Sequence, residues 1–178
     1  GSIKPIVDKY DDLTLLHFDA HADLRESYQG EKFSHASAIK RCLDFKNVKV
    51  VSFGIRNLSK PEMEFYNNNR DRIEIFWGKD KKSWDLSQIN KLFSSKTVYI
   101  TFDVDGFDAS IMPATGTPEP GGLFWYDVLP IIKRVCQISN VVGADINELA
   151  PIKNFDSYNF LVAKLAYKIL SYTFEFKN

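Results

Sequence analysis

The chain has 178 residues, enough for one well-cored domain, and its 44% apolar and 26% charged residues exclude a disordered composition. Its 23 Lys and Arg balance 23 Asp and Glu, so it carries no electrostatic footprint for nucleic acid or an anionic membrane, while a small cationic substrate stays open. Cys42 and Cys136 lie far apart without CxxC spacing and read as reduced thiols, which fits a cytoplasmic protein. No apolar run reaches the roughly 18 to 20 residues of a bilayer span.

Gly1-Ser2 reads as a cloning remnant, and the chain soon enters an apolar run, Leu13 to Asp19, predicted as a short buried strand. A helix is expected from Ser34 to Phe45, with Ser34 as its cap, then a strand from Val48 to Gly54. Ser59 and Pro61 mark the start of a helix from Lys60 to Asn67, and Asn67-Asn68-Asn69 reads as its end. There follow a strand at Ile73 to Trp77, a helix at Ser87 to Phe93, a strand at Val98 to Asp103 and a helix at Trp125 to Gln137. A strand from Asn140 to Asp145 and a helix from Tyr158 to Tyr172 complete the series. Strand alternating with helix implies an α/β fold, a parallel sheet covered on both faces, in one domain spanning 1-178.

Ligands gather at the carboxyl ends of strands in such sheets, and two polar clusters stand there. The first strand runs into Asp19-Ala20-His21-Ala22-Asp23, and the fourth into Asp103-Val104-Asp105. Carboxylates and an imidazole crowded at the end of a buried strand are costly unless a cation or hydrogen bonds compensate them. Four carboxylates with one imidazole are oxygen-rich, which suits manganese or magnesium better than zinc. They are also too many for one catalytic ion with an open position, whereas two ions roughly 3.5 to 4 Å apart would use them all. A rival reading takes Asp103-Val104-Asp105-Gly106 as the nucleophile motif of a haloacid-dehalogenase-type phosphatase. Its place past mid-chain, Phe107 after the glycine and the idle Asp19 cluster count against it.

The segment His17-Phe18-Asp19-Ala20-His21-Ala22-Asp23 resembles the DAHxD motif of the ureohydrolases, the arginases and agmatinases. Thr101 to Asp108 resembles their [ST]xDxDxxD motif, Pro113 to Leu123 their glycine- and proline-rich loop, and Asp145 to Pro151 their late glutamate-bearing segment. The resemblance implies a three-layer αβα arginase-like fold, with the strands that precede the first motif in full-length members absent, and leaves an unpaired apolar sheet edge. It implies two Mn2+ ions, with Asp19 and Asp103 bridging, Asp23 on one ion, and His21 and Asp105 on the other.

The resemblance further implies attack of an activated water on a guanidinium carbon and release of urea. Asp105 would accept the proton, His35 would relay one to the leaving amine, Glu148 would hold the guanidinium, and Thr117 and Glu119 would border its pocket. His17 reads as a satisfied core histidine, and Asp108 as a brace for its loop. The loop and Ser34-His35-Ala36-Ser37 look more like agmatinases than arginases, so agmatine is the expected substrate, with arginine or guanidinobutyrate as alternatives. Members are usually homo-oligomers, trimers or hexamers. Gly1 stands where the family has a further metal-binding histidine, which raises the competing expectation of a non-catalytic metal-binding or assembly module.

Overall fold

A computed structural model describes residues 2–177. A five-stranded sheet, all of its pairings parallel, runs in the order β3-β2-β1-β4-β5. The strands are β1 (Leu13–Phe18), β2 (Val48–Phe53), β3 (Ile73–Phe76), β4 (Thr97–Asp103) and β5 (Asn140–Asn147). The helices are α1 (Lys4–Val7), α2 (Ala38–Leu43), α3 (Lys60–Asn67), α4 (Gln88–Phe93), α5 (Trp125–Ile138) and α6 (Asp156–Glu175).

Alternation along the strands divides the interior in two, because successive side chains point to opposite faces. Leu13 and Leu15 of β1 join Val48, Val50, Ile73 and Ile75 in a core closed by residues of α1, α2 and α3. Leu16 and Phe18 join Phe53, Ile100 and Phe102 in the opposite core, closed by α4, α5 and α6. The sheet is thus the middle of three layers, as expected for a parallel sheet. The strands β1 and β4 are hydrogen-bonded on both edges, while β5 has β4 as its only strand partner among the described residues.

Two boundaries near the polar clusters differ from expectation. The expected helix at Ser34 begins instead as a 3-10 turn, His35–Ser37, and the Ser34 hydroxyl meets that of Ser37 at 3.0 Å rather than capping the helix. The strand β5 extends past Asp145 to Asn147 because its register with β4 continues through Asp103 and Asn147. The expected cap at Ser59 is present, with its N–H (2.8 Å) and hydroxyl (2.7 Å) both donating to Glu62.

The order of the strands fixes where a ligand can sit. From β1 the chain steps outward to β2 and β3, then returns to place β4 on the other side of β1. Connections leave β1 and β4 in opposite directions at that point, and the loops following them open a crevice at their carboxyl ends.

Candidate metal centre

Both polar clusters lie at this switch point and are built by the same local device. Asp19 Oδ1 accepts from the His21 N–H at 2.6 Å, and Asp103 Oδ1 accepts from the Asp105 N–H at 3.0 Å. Each is an aspartate hydrogen-bonded to the backbone two residues on, which turns the chain at the strand end. The two turns are then locked together, because Asp105 Oδ1 accepts from the Ala20 N–H at 3.0 Å. Gly106 permits the approach: a Cβ there would lie 2.9 Å from the Asp19 nitrogen.

Asp105 Oδ2 faces His21 Nδ1 at 2.9 Å, and Asp19 Oδ1 lies 3.5 Å from the same nitrogen. Asp19, Asp103 and Asp105 are all buried. Burial pushes the Asp19 carboxyl up, but hydrogen bonds from His17 and His21 outweigh it and hold the group below its ordinary range. His21 is raised to about 11 by its hydrogen bonds to Asp105 and Asp19. Burial and then the Asp19 charge raise Asp23 and Asp103, and burial with Asp105 and Asp19 raises Glu148. Crowding so many carboxylates in a buried cluster is therefore costly unless their charge is compensated.

Cations could compensate that charge, and the donor set fits them. Asp19, His21 and Asp105 can each bring one ligand atom within 4.8 Å of the others, and so can Asp103, Asp105 and Glu148. Two trios that share Asp105 offer adjacent positions for a pair of ions, rich in carboxylate oxygen and poor in nitrogen.

Of the other residues singled out in the sequence, Asp23 lies outside both trios but lines a cleft of about 220 Å³ with Asp19, His21, His35, Glu119 and Glu148. Asp23 and Glu148 both have left-handed backbones, with φ of 53° and 63°. Strain of this kind persists where surrounding structure enforces it. The Thr117 hydroxyl donates to Asp105 Oδ2 at 3.3 Å, and Glu119 Oε1 lies 3.7 Å from His21 Nε2. Asp108 braces its loop, accepting from the Ser110 and Gly122 N–H groups at 3.0 and 2.8 Å. Gly1, where a further histidine was expected, lies outside the described residues.

Several side chains around the centre were not assigned to it from sequence. His17 is the buried core histidine expected, and its Nε2 is also 2.9 Å from Asp19 Oδ2, with Nδ1 3.0 Å from the Ser52 hydroxyl. Its spacing of two from Asp19 on a strand was the available signal. Glu62, besides capping α3, accepts from the Leu24 N–H at 3.1 Å and so tethers the chain beside Asp23. Asn57 donates to the Glu119 carboxylate. Nothing local in sequence marks these last two contacts.

Comparison with known proteins gives the family. A profile described as Arginase family matches residues 1–171. The chain belongs to the arginase family. It is 36% identical to N(1)-aminopropylagmatine ureohydrolase of Synechocystis sp. over 162 residues, 89% of this chain and 52% of that protein. It is also 36% identical to agmatinase of Pyrococcus horikoshii over 155 residues, 86% of this chain and 53% of the relative. The chain therefore spans about half the length of these relatives. Agmatine ureohydrolase of Thermoplasma volcanium superposes with a TM-score of 0.79 at 31% identity, over 97% of this chain and 58% of that one. Arginase from Medicago truncatula gives 0.80 at 26% identity, over 96% and 55%. Among the described residues no helix is long and apolar enough to cross a membrane.

Proposed function

We propose that this chain carries the binuclear manganese centre of a cytoplasmic hydrolase that releases urea from a guanidino substrate, agmatine being the first choice. The observation that supports this most is the pair of donor trios sharing Asp105 at the β1 and β4 ends. Asp19, His21, Asp23, Asp103 and Asp105 would hold the two ions. When bound, the ions lower the pKa of water from about 15.7 towards 7 and so supply the nucleophile at neutral pH.

The protein's own groups perform the remaining steps. Asp105, oriented by Ala20 and Thr117, takes the proton of the attacking water. Glu148 reaches the same cleft from the end of β5 and holds the planar guanidinium cation through charge-assisted hydrogen bonds. His35, on the 3-10 turn across the cleft, passes a proton to the departing amine. Thr117 and Glu119 form the border nearest His21, and agmatine's lack of an α-carboxylate leaves no call for an amino-acid-binding shell. The relatives named for agmatine and N(1)-aminopropylagmatine support that substrate class. The working unit is a trimer or hexamer of identical chains.

Metal content and urea release from agmatine, arginine and guanidinobutyrate, measured on the manganese-loaded protein, test the reading. Two ions per chain with urea from agmatine alone are expected. No bound metal would overturn the ligand assignment, and metal without urea from any of the three would leave a metal-binding module.

A further inference from the structure

The loop 116–122 borders the proposed guanidino site, yet it has little packing of its own: only Glu119 and Gly122 within it are not fully exposed. A loop without a core must be held by polar contacts, and one side chain, Arg56, supplies two of them, to the Glu119 and Pro120 carbonyls. Arg56 follows the turn at Gly54, just past the end of β2.

Every described hydrogen bond of the Arg56 side chain goes to a main-chain carbonyl. Its Nη1 donates to Gly54 at 3.0 Å and, at 3.4 Å, to Gly106. Its Nη2 is shared among Asp105 at 2.8 Å, Phe107 at 3.1 Å and Glu119 at 2.7 Å, and Nε donates to Pro120 at 3.0 Å. The acceptors come from three segments: the turn after β2, the turn after β4 and the exposed loop. A planar fork with five N–H groups can serve them together, whereas a lysine ammonium with three donors on one atom cannot.

The two acidic residues whose carbonyls share Nη2 also flank the same imidazole. Asp105 Oδ2 is 2.9 Å from His21 Nδ1, and Glu119 Oε1 is 3.7 Å from His21 Nε2. We infer that Arg56 is a positioning residue: by clamping the Glu119 backbone to the Asp105 turn, it fixes the width of the substrate pocket on the His21 side. The inference rests on the reading of the site as a guanidino hydrolase, with Glu119 at the pocket border. Arg56 acts through main chain and touches no reacting group.

Arg56→Lys and Arg56→Met are compared with Lys81→Met in the intact, manganese-loaded protein. Lys81 holds the far end of the loop through the Gly122 carbonyl at 2.8 Å and serves as the control. Arg56→Lys is expected to raise KM for agmatine by about tenfold, more than it lowers kcat, at unchanged manganese affinity and melting temperature. In the double variant with Glu119→Gln most of that KM effect should disappear, because Arg56 acts through where its backbone clamp places the Glu119 carboxylate. Arg56 variants should also be cut faster within 116–122 by a probing protease, and Lys81→Met should leave KM unchanged.

A fall in melting temperature with KM unmoved, or an Arg56 effect fully additive with Glu119→Gln, would overturn the inference. Should the wild-type protein release no urea, the reading of function fails, and loop cleavage alone decides: equal cutting of wild type and Arg56→Lys would show that no clamp exists.

Discussion

The strands β1 and β5 are both parallel members of one sheet, and both carry an acidic residue just beyond their ends, but their burial is opposite. All six residues of β1 are buried, whereas only Val141 is buried in β5. β1 has a strand on each side and a core on each face, while β5 has one described neighbour. Backbone hydrogen bonding along a ladder therefore fixes register without drying the side chains. That difference places the charge-sensitive part of the centre at β1 and β4, and the accessible part, with Glu148, at β5.

The strongest test of this contrast is Asp105→Asn. Loss of a ligand common to both trios should cut urea release and manganese affinity by more than the roughly 10- to 100-fold typical of outer partners of a metal site. Asp145→Asn on β5, whose carboxylate bonds Tyr99, Thr101 and Asn147, should stay within that range.

Packing gives the next effect. Leu16→Ala, at a fully buried position of β1, should cost about 2 to 5 kcal/mol in urea denaturation. Val142→Ala on β5 should cost under about 1.5 kcal/mol, since less apolar area is lost. Gly106→Ala should destabilise by about 1 to 3 kcal/mol and weaken manganese binding, because its Cβ would crowd the Asp19 backbone.

The metal-free protein holds His21 at a pKa of about 11, raised by Asp105 and Asp19 from an ordinary 6.5. Its contribution to stability is fully present below the lower value and is lost as pH rises through the higher. Manganese held there as proposed would have to displace that proton, so calorimetry in buffers of different ionisation heat should record proton release on metal binding near pH 7, and affinity should rise with pH. The smallest effect belongs to the outer face of α6. Tyr167→Ser, at a residue 62% exposed, should change stability by no more than about 0.5 kcal/mol, while Leu165→Ala two residues earlier should cost about 2 to 5.

Much of the frame was legible because short apolar runs such as Val48 to Phe53 bear their own signature, and the Asp-His-Asp spacing marked a polar cluster that meets the Asp103 turn. Helix ends were harder. The helix α6 starts at Asp156 and continues to Glu175, beyond the expected Tyr158 to Tyr172, since packing against α5 and the sheet extends it past its apolar centre. The short α1 has one buried residue and left no periodic trace. Contacts set by tertiary closure, such as Arg56 with Glu119 or Glu62 with Leu24, have no sequence period to reveal them. The interval from Arg56 to Glu119 carries no pattern, and a guanidinium bound to carbonyls needs no partner of particular identity.

Because β1 sends Leu13 and Leu15 into one core and Leu16 and Phe18 into the other, Asp19 hangs from a strand gripped on both faces. Occupancy of the proposed centre and integrity of either core would thus be thermodynamically linked. Each tenfold excess of metal over its dissociation constant adds about 1.4 kcal/mol to the folded state. A cavity cut on either side of the sheet would then be partly offset by raising the metal concentration, making the melting curve itself a gauge of metal supply.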